Sequence, residues 1–198
     1  MQKTPKYIFL FITLGCLFAW ACNSPFVPKS KGYGFVSFPQ KSYQVFEAPG
    51  YPYSFEYPVY AQIDNKVDYF GASQKDAAWI NIQFPENKAT LYVSYRTIQP
   101  HQLDTLIKDA YTFANNHNNK ASFIEDSVFT TQQGVRGVFF HIGGNVATSY
   151  QFFLTDSAHH FFRGALYFDT TPNEDSLAPV NAFLFKDLTH LVNTFRWK

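Results

Sequence analysis

The chain is 198 residues long, 46% hydrophobic and 16% charged, with a formal net charge of +1 at pH 7. This balance fits one globular domain, excludes a disordered or fibrous chain, and argues against a nucleic-acid partner or a polybasic membrane surface. Aromatic residues supply 20% of it, 23 Phe and 13 Tyr among them; such side chains favour pleated, half-buried surfaces, so much strand is expected.

At the N-terminus, Lys3 and Lys6 precede the uncharged stretch YIFLFITLGCLFAWA, Tyr7 to Ala21. It is shorter than the roughly 20 residues a membrane-spanning helix needs, and the small Ala21 sits where signal peptidases cut, so residues 1–21 are expected to be an export signal. Cys22 follows. An apolar run, a small residue and then cysteine resembles the lipobox of bacterial lipoproteins, in which the thiol is acylated and the cysteine becomes the mature N-terminus. Ala19 stands where Leu is usual, Trp20 is bulky for its place, and Cys16 after Gly15 is a competing site; the alternative is an ordinary secreted or signal-anchored protein. Two acyl chains, at about 0.8 kcal/mol per buried methylene, suffice for stable anchorage. Cleavage before Cys22 removes Lys3 and Lys6 from the 16 Lys+Arg and leaves 14 against 15 Asp+Glu. With two cysteines in the whole chain, the folded part then has neither disulfide nor free thiol. NSPFVPKSKG, residues 23–32, has low helix and strand potential and reaches at most roughly 35 Å, which predicts a lipidated N-terminus and tether over 22–32 and a globular domain over 33–198.

Beyond the tether, SFEYP (54–58), WINIQFP (79–85) and ATLYVSYRTI (89–98) carry strand signals. Leu91, Val93 and Tyr95 alternate with Tyr92, Ser94 and Arg96, and Pro85 to Lys88 supplies the turn of a hairpin. The stretch from Gln40 to Ala78, with Pro49, Gly50, Pro52 and Pro58, predicts strands separated by substantial loops. From Gln102 to Asn116 the period changes: Leu103, Leu106, Ile107, Ala110 and Ala114 fall on one helical face, and the helix stops in NNHNNK. Segments near 121–130, 135–142, 148–154 and 159–168, joined by QQG, GGN and TDSA, predict antiparallel strands. Leu177, Val180, Leu184, Leu188, Leu191 and Phe195 predict a closing helix, capped by the Asp175-Ser176 pair. The order of elements gives an α+β fold, an antiparallel sheet with packed amphipathic helices, similar to the Mog1/PsbP-like α/β/α sandwich, which ends in a comparable long helix.

The stretch FFLTDSAHHFFRGALYF, 152–168, concentrates the candidate chemistry. In a strand successive side chains point to opposite faces, so His159 and His160 cannot converge on one ligand. His159, Phe161, Arg163, Ala165 and Tyr167 share one face; His160, Phe162, Gly164, Leu166 and Phe168 share the other, which is the expected core face. Asp156 and Ser157 belong to the hairpin turn, where their side chains bond nearby backbone. The exposed half of the first face, with His159, Arg163 and Tyr167, is a candidate partner or glycan surface. No HExxH motif or paired histidine spacing predicts a metal. HIGGN (141–145) lacks a GxSxG companion, so Gly143 and Gly144 are expected to serve a tight turn. DTTPNEDS lacks the sixth-position Gly and closing Glu of a calcium loop, so its Asp169, Asn173 and Asp175 are expected at a helix start. No cofactor is predicted.

Taken in order, VPKSKGYGFVSFP, YSFEYP, WINIQFP, SYRTI, HNNKASFI, GGNVATSYQFFLTDSAHHFFRGALYF, PNEDSLAPV and the terminal WK resemble the gliding motility lipoprotein GldD family of the Bacteroidetes lineage, over nearly all of the mature chain. Members of that family often carry two cysteines near the positions of Tyr51 and Ala78; both are missing here, which leaves a lost disulfide of a few kcal/mol rather than lost function. The resemblance implies a periplasm-facing membrane lipoprotein; the lipobox places palmitate at Cys22, and Asn23 after it, in place of the aspartate that retains enterobacterial lipoproteins at the inner membrane, slightly favours the outer membrane. The resemblance also implies a role in assembling or stabilising the gliding and type IX secretion machinery beside other gliding lipoproteins, without turnover of a substrate. The alternative from a different class is a periplasmic ligand- or glycan-binding protein or hydrolase with a site near His141, His159 and Arg163.

Overall fold

A computed structural model of the protein describes residues 37–65 and 78–198; the export signal, Cys16, Cys22 and the tether lie outside the described residues. Among the described residues, ten strands and two helices follow in chain order: β1 (Tyr43–Phe46), β2 (Tyr53–Pro58), β3 (Gln62–Asp64), β4 (Ile80–Phe84), β5 (Ala89–Thr97), α1 (Leu103–Asn115), β6 (Ala121–Thr130), β7 (Arg136–Gly144), β8 (Tyr150–Thr155), β9 (His160–Phe168), α2 (Glu174–Thr194) and β10 (Arg196–Trp197). β1, β2 and β10 form a small sheet, and the other seven form a larger one in the order β3-β4-β5-β9-β8-β7-β6.

Every neighbouring pair in both sheets is antiparallel. The large sheet is two meanders: β3 to β5 runs outward from one edge, α1 crosses over, and β6 to β9 returns from the far edge until β9 lies beside β5. The expected hairpin between β4 and β5 is present, turned by a short 3-10 helix, Pro85–Asn87, and by Lys88 in the left-handed region at φ 47°. Its alternation also holds: Leu91 and Val93 are wholly buried while Tyr92 and Arg96 on the other face are exposed.

Two cores lie on opposite faces of the large sheet. The larger joins Ile80, Ile82, Leu91, Val93, Phe152, Leu154, Phe162 and Leu166 to the α2 stripe Leu184, Leu188 and Leu191 and to Phe55 of the small sheet. The smaller packs Ala110 and Ala114 of α1 on Val138, Phe140, Ile142, Phe153 and Phe161. A helix on each face makes an α/β/α arrangement. This explains why β8, YQFFLT, is buried at every position: a strand covered on both sides loses the apolar-polar alternation of a half-solvated one.

Three expectations need correction. β9 was expected to bury one face, yet Phe161 is 4% and Ala165 1% exposed, because α1 covers the face they share with Arg163. α2 is capped by Asn173, whose side chain accepts from Ser176 N, and not by the Asp175-Ser176 pair. Nor does α2 close the chain: Phe195 turns to ψ 137° and β10 adds to β2, pairing Trp197 with Tyr53. Tyr51 and Ala78 meet a common neighbour, since the Tyr51 ring lies 5.8 Å from that of Tyr53, whose hydroxyl donates to the Ala78 carbonyl at 2.6 Å. Burial pushes the Tyr53 phenol far up, so this bond persists at any ordinary pH.

Candidate functional site

The β8–β9 turn is built as the sequence implied. Asp156 Oδ1 accepts from the backbone N–H groups of Ala158, His159 and His160 at 3.0, 2.8 and 2.8 Å, and Ser157 takes φ 66°. Burial disfavours the Asp156 charge, but the N–H groups of His160, Ala158 and His159 outweigh it and hold the carboxyl below the usual carboxylate range. All of its acceptor capacity on that oxygen goes to the turn itself.

The two histidines part as their alternation requires. His159 is 77% exposed, with Nδ1 3.7 Å from Asp156 Oδ2. His160 turns inward, Nδ1 lying 2.6 Å from the Tyr95 hydroxyl and the ring stacked on Trp197 at 5.1 Å. Arg163 Nη2 donates to Gln151 Oε1 at 2.6 Å, and the guanidinium lies 4.6 Å from the Phe113 ring of α1. Burial and then the Arg163 charge lower the basicity of His117. Tyr167 meets Tyr92 edge-on at 5.7 Å. His159, Arg163 and Tyr167 recur at every fourth position, about 13 Å apart along the strand, which makes a strip and not a pocket.

His141 does not join them. β7 pairs it with Tyr150, and β8 pairs Tyr150 with Leu166, so it lies on the opposite face of the sheet from Arg163. A single site formed by His141, His159 and Arg163 is therefore corrected to three separate positions. His141 stacks on Tyr150 at 5.1 Å and borders a cleft of about 140 Å³ with Gly144, Ser149, Glu174 and Asn181. Asn181 Nδ2 donates to Ser149 Oγ at 3.1 Å, while its Oδ1, within a side chain 9% exposed, has no partner among the described residues. Among the described residues no group of three or more His, Cys, Asp or Glu could hold a metal ion.

The densest polar cluster was not singled out from the sequence. Asp187 on α2, 1% exposed, accepts from Lys41 Nζ at 2.7 Å, Tyr43 OH at 3.0 Å and Tyr60 OH at 2.5 Å. Lys41 Nζ also donates to the Phe183 carbonyl at 3.0 Å and lies 3.6 Å from the Phe183 ring centroid; the Phe38 ring stacks on the Phe183 ring at 4.3 Å. Burial, then the Asp187 charge, pushes the Tyr43 phenol up to about 12, and burial with the Asp187 hydrogen bond pushes Tyr60 further. Beside it Tyr43 stacks on His190 at 3.6 Å, and His190 Nε2 lies 2.6 Å from Glu56 Oε2. One signal could have revealed the cluster: Asp187 interrupts the apolar stripe between Leu184 and Leu188, where a carboxylate is tolerated only if paired. Chemically, the cluster binds the first described segment, Phe38 to Tyr43, onto α2. Three donors take three of the roughly four acceptor positions of the carboxylate.

A family model described as gliding motility lipoprotein GldD matches residues 23–197. No curated protein matches the chain. Among solved structures, cyanobacterial PsbP from Synechocystis sp. PCC 6803 is 14% identical with a TM-score of 0.48, covering 83% of this chain and 98% of its own. The Ran-binding protein Mog1p of Saccharomyces cerevisiae is 13% identical with a TM-score of 0.42, covering 80% and 96%.

Proposed function

We propose, for a chain that belongs to the gliding motility lipoprotein GldD family, a non-catalytic role in assembling or stabilising the gliding and type IX secretion machinery, beside other lipoproteins of that machinery. Its domain would face the periplasm, held through a lipid on Cys22, with the outer membrane favoured. The observation that carries this reading is the use to which the polar groups are put. Asp187, Asp156 and Arg163 each spend their hydrogen bonds inside the fold. The Lys41–Asp187 cluster then has a mechanical sense, because it fastens the first described segment to a long helix. The expected tether over 22–32 reaches at most roughly 35 Å, so fastening the segment around Lys41 onto the fold limits how far the domain can stand from the membrane. Of the predicted partner strip, His159 is the exposed member, and it remains our proposed contact point there.

Pulling down the tagged protein from crosslinked membranes tests the role. Recovery of motility or secretion components is expected; recovery of none counts against it. Replacing Cys22 with Ala should abolish palmitate labelling and membrane fractionation, and unchanged labelling refutes that site.

A second reading, a binder of a small polar molecule, is favoured by the unpartnered Asn181 Oδ1 in the cleft beside His141. Alanine substitutions at His141, Asp156, His159, His160 and Arg163, scored for secretion in a deletion strain, separate the two. Effects that track protein abundance support the structural role. Loss of secretion at His141 with normal abundance supports the binder.

A further inference from the structure

The large sheet ends on two unequal edges. β3 offers three residues, whereas β6 offers ten, paired on one side with β7 and on the other with no strand among the described residues. An unpaired edge is a template for another strand, and proteins usually blunt it with charged side chains, above all Lys, with Pro or with a bulge. Between Phe123 and Thr130, β6 carries the charges of Glu125 and Asp126 but no Lys, Pro or bulge beside them; its one irregularity sits at its start, between Ala121 and Phe123.

The strand is nonetheless held in fixed register. Phe123 lies opposite Gly143 and Phe129 opposite Gly137, and at both glycines a Cβ would collide with the facing ring. Aromatic rings seated over cross-strand glycines pin β6 at both ends. Between those pins, Glu125, Asp126, Ser127 and Val128 are all exposed, Val128 at 78%. Glu125 and Asp126 point to opposite faces of the ribbon, as consecutive strand residues must. Asp126 Oδ2 accepts from Tyr111 of α1 at 3.0 Å.

We propose that β6 is a docking edge that takes an extended segment of a partner protein as an added strand, and that this segment carries two consecutive basic residues. The charges choose the occupant. A second copy added antiparallel about the centre of β6 would set either Glu125 or Asp126, according to register, directly opposite its own equivalent, and like charges directly opposite are destabilising. A strand with Lys or Arg at those places gains the backbone ladder and one opposite-charge pair on each face. Flanking β-branched residues suit the exposed Val128 and Ser127 positions.

The inference rests on the assembly reading only in taking the partner to be a protein. Its test uses the purified mature chain and a blocked probe peptide, Thr-Val-Thr-Lys-Lys-Thr-Val-Thr, compared with the same peptide carrying Glu-Glu at its centre. Amide hydrogen exchange of the free chain should show every second β6 amide exchanging fast. The Lys-Lys probe should slow those amides and bind about tenfold more tightly than the Glu-Glu probe. Charge reversal with Glu125→Lys and Asp126→Lys, at exposed positions that leave the cores intact, should invert that preference. Four results overturn the proposal: alternate β6 amides already slow in the free chain, no protection by the probe, equal affinity for both probes, or a dimer in sedimentation that charge reversal dissolves. A failure here leaves the crosslinking result of the assembly reading untouched, so the two stand or fall separately.

Discussion

Asp156 and Asp187 are the same residue put to opposite uses. Asp156 sits in a hairpin turn, exposed on one side, and its three backbone partners lie within four residues of it. Asp187 sits on the inner face of α2, 1% exposed, and its partners Lys41, Tyr43 and Tyr60 lie more than a hundred residues away along the chain. The first stabilises a shape the chain adopts locally; the second ties the first described segment to the last helix. A local bond repays little entropy because the turn is short, whereas a long-range one acts only once the whole fold is assembled. The difference predicts how each region should fail.

The largest effect is expected from Asp187→Ala. It strands Lys41, whose side chain is 24% exposed, and removes the acceptor of two phenols, at a cost of about 3 kcal/mol in denaturant unfolding. Pairing Asp187→Leu with Lys41→Met should recover most of that loss, because replacing both partners removes the desolvation penalty along with the attraction. If the double variant is as unstable as the single, the cluster does more than balance its own charges.

A smaller effect separates the regions at high pH. Tyr43 is held at about 12 and Tyr60 above its ordinary value, so the folded chain keeps protons that the unfolded chain releases from about pH 10. Stability contributed by these phenols is fully present below pH 10 and falls as pH rises through about 12. In Asp187→Ala that alkaline loss should shrink, since the carboxylate that disfavours phenolate is gone; in Asp156→Ala it should be unchanged. Urea midpoints between pH 8 and 11.5 check both.

The same contrast explains what was legible in the sequence. The β6 to β9 meander could be read because each link is short and each strand carries its own pattern, and the Asp156 turn because its donors are its neighbours. α1 and the α2 stripe showed in their period. Burial of β9 on both faces could not be read, since nothing local tells Phe161 that α1 will return over it. β10 is two residues long and is defined only by pairing with β2. Asp187 left a trace, a charge in an apolar stripe, but its partners Lys41, Tyr43 and Tyr60 are identified by no spacing. The cleft at Asn181 likewise joins the end of β7 to α2, and His141 and Arg163 were parted by a register that only strand pairing reveals.

The smallest expected effect belongs to the turn. Asp156→Ala deletes a side chain that accepts from three backbone N–H groups, at a cost of about 1 kcal/mol, in the range of a lost helix cap. Asp156→Asn keeps an acceptor oxygen and should lose less. The folded carboxyl is held below its unfolded value of about 3.9, so its contribution is present above that pH and disappears as pH falls through the lower folded value. Wild type and Asp156→Ala should therefore differ at pH 7 and converge below about pH 4. A difference that persists unchanged into acid would mean that the turn is held by the shape of the side chain and not by its charge, and that Asp156 is less unlike a neutral turn residue than its hydrogen bonds suggest.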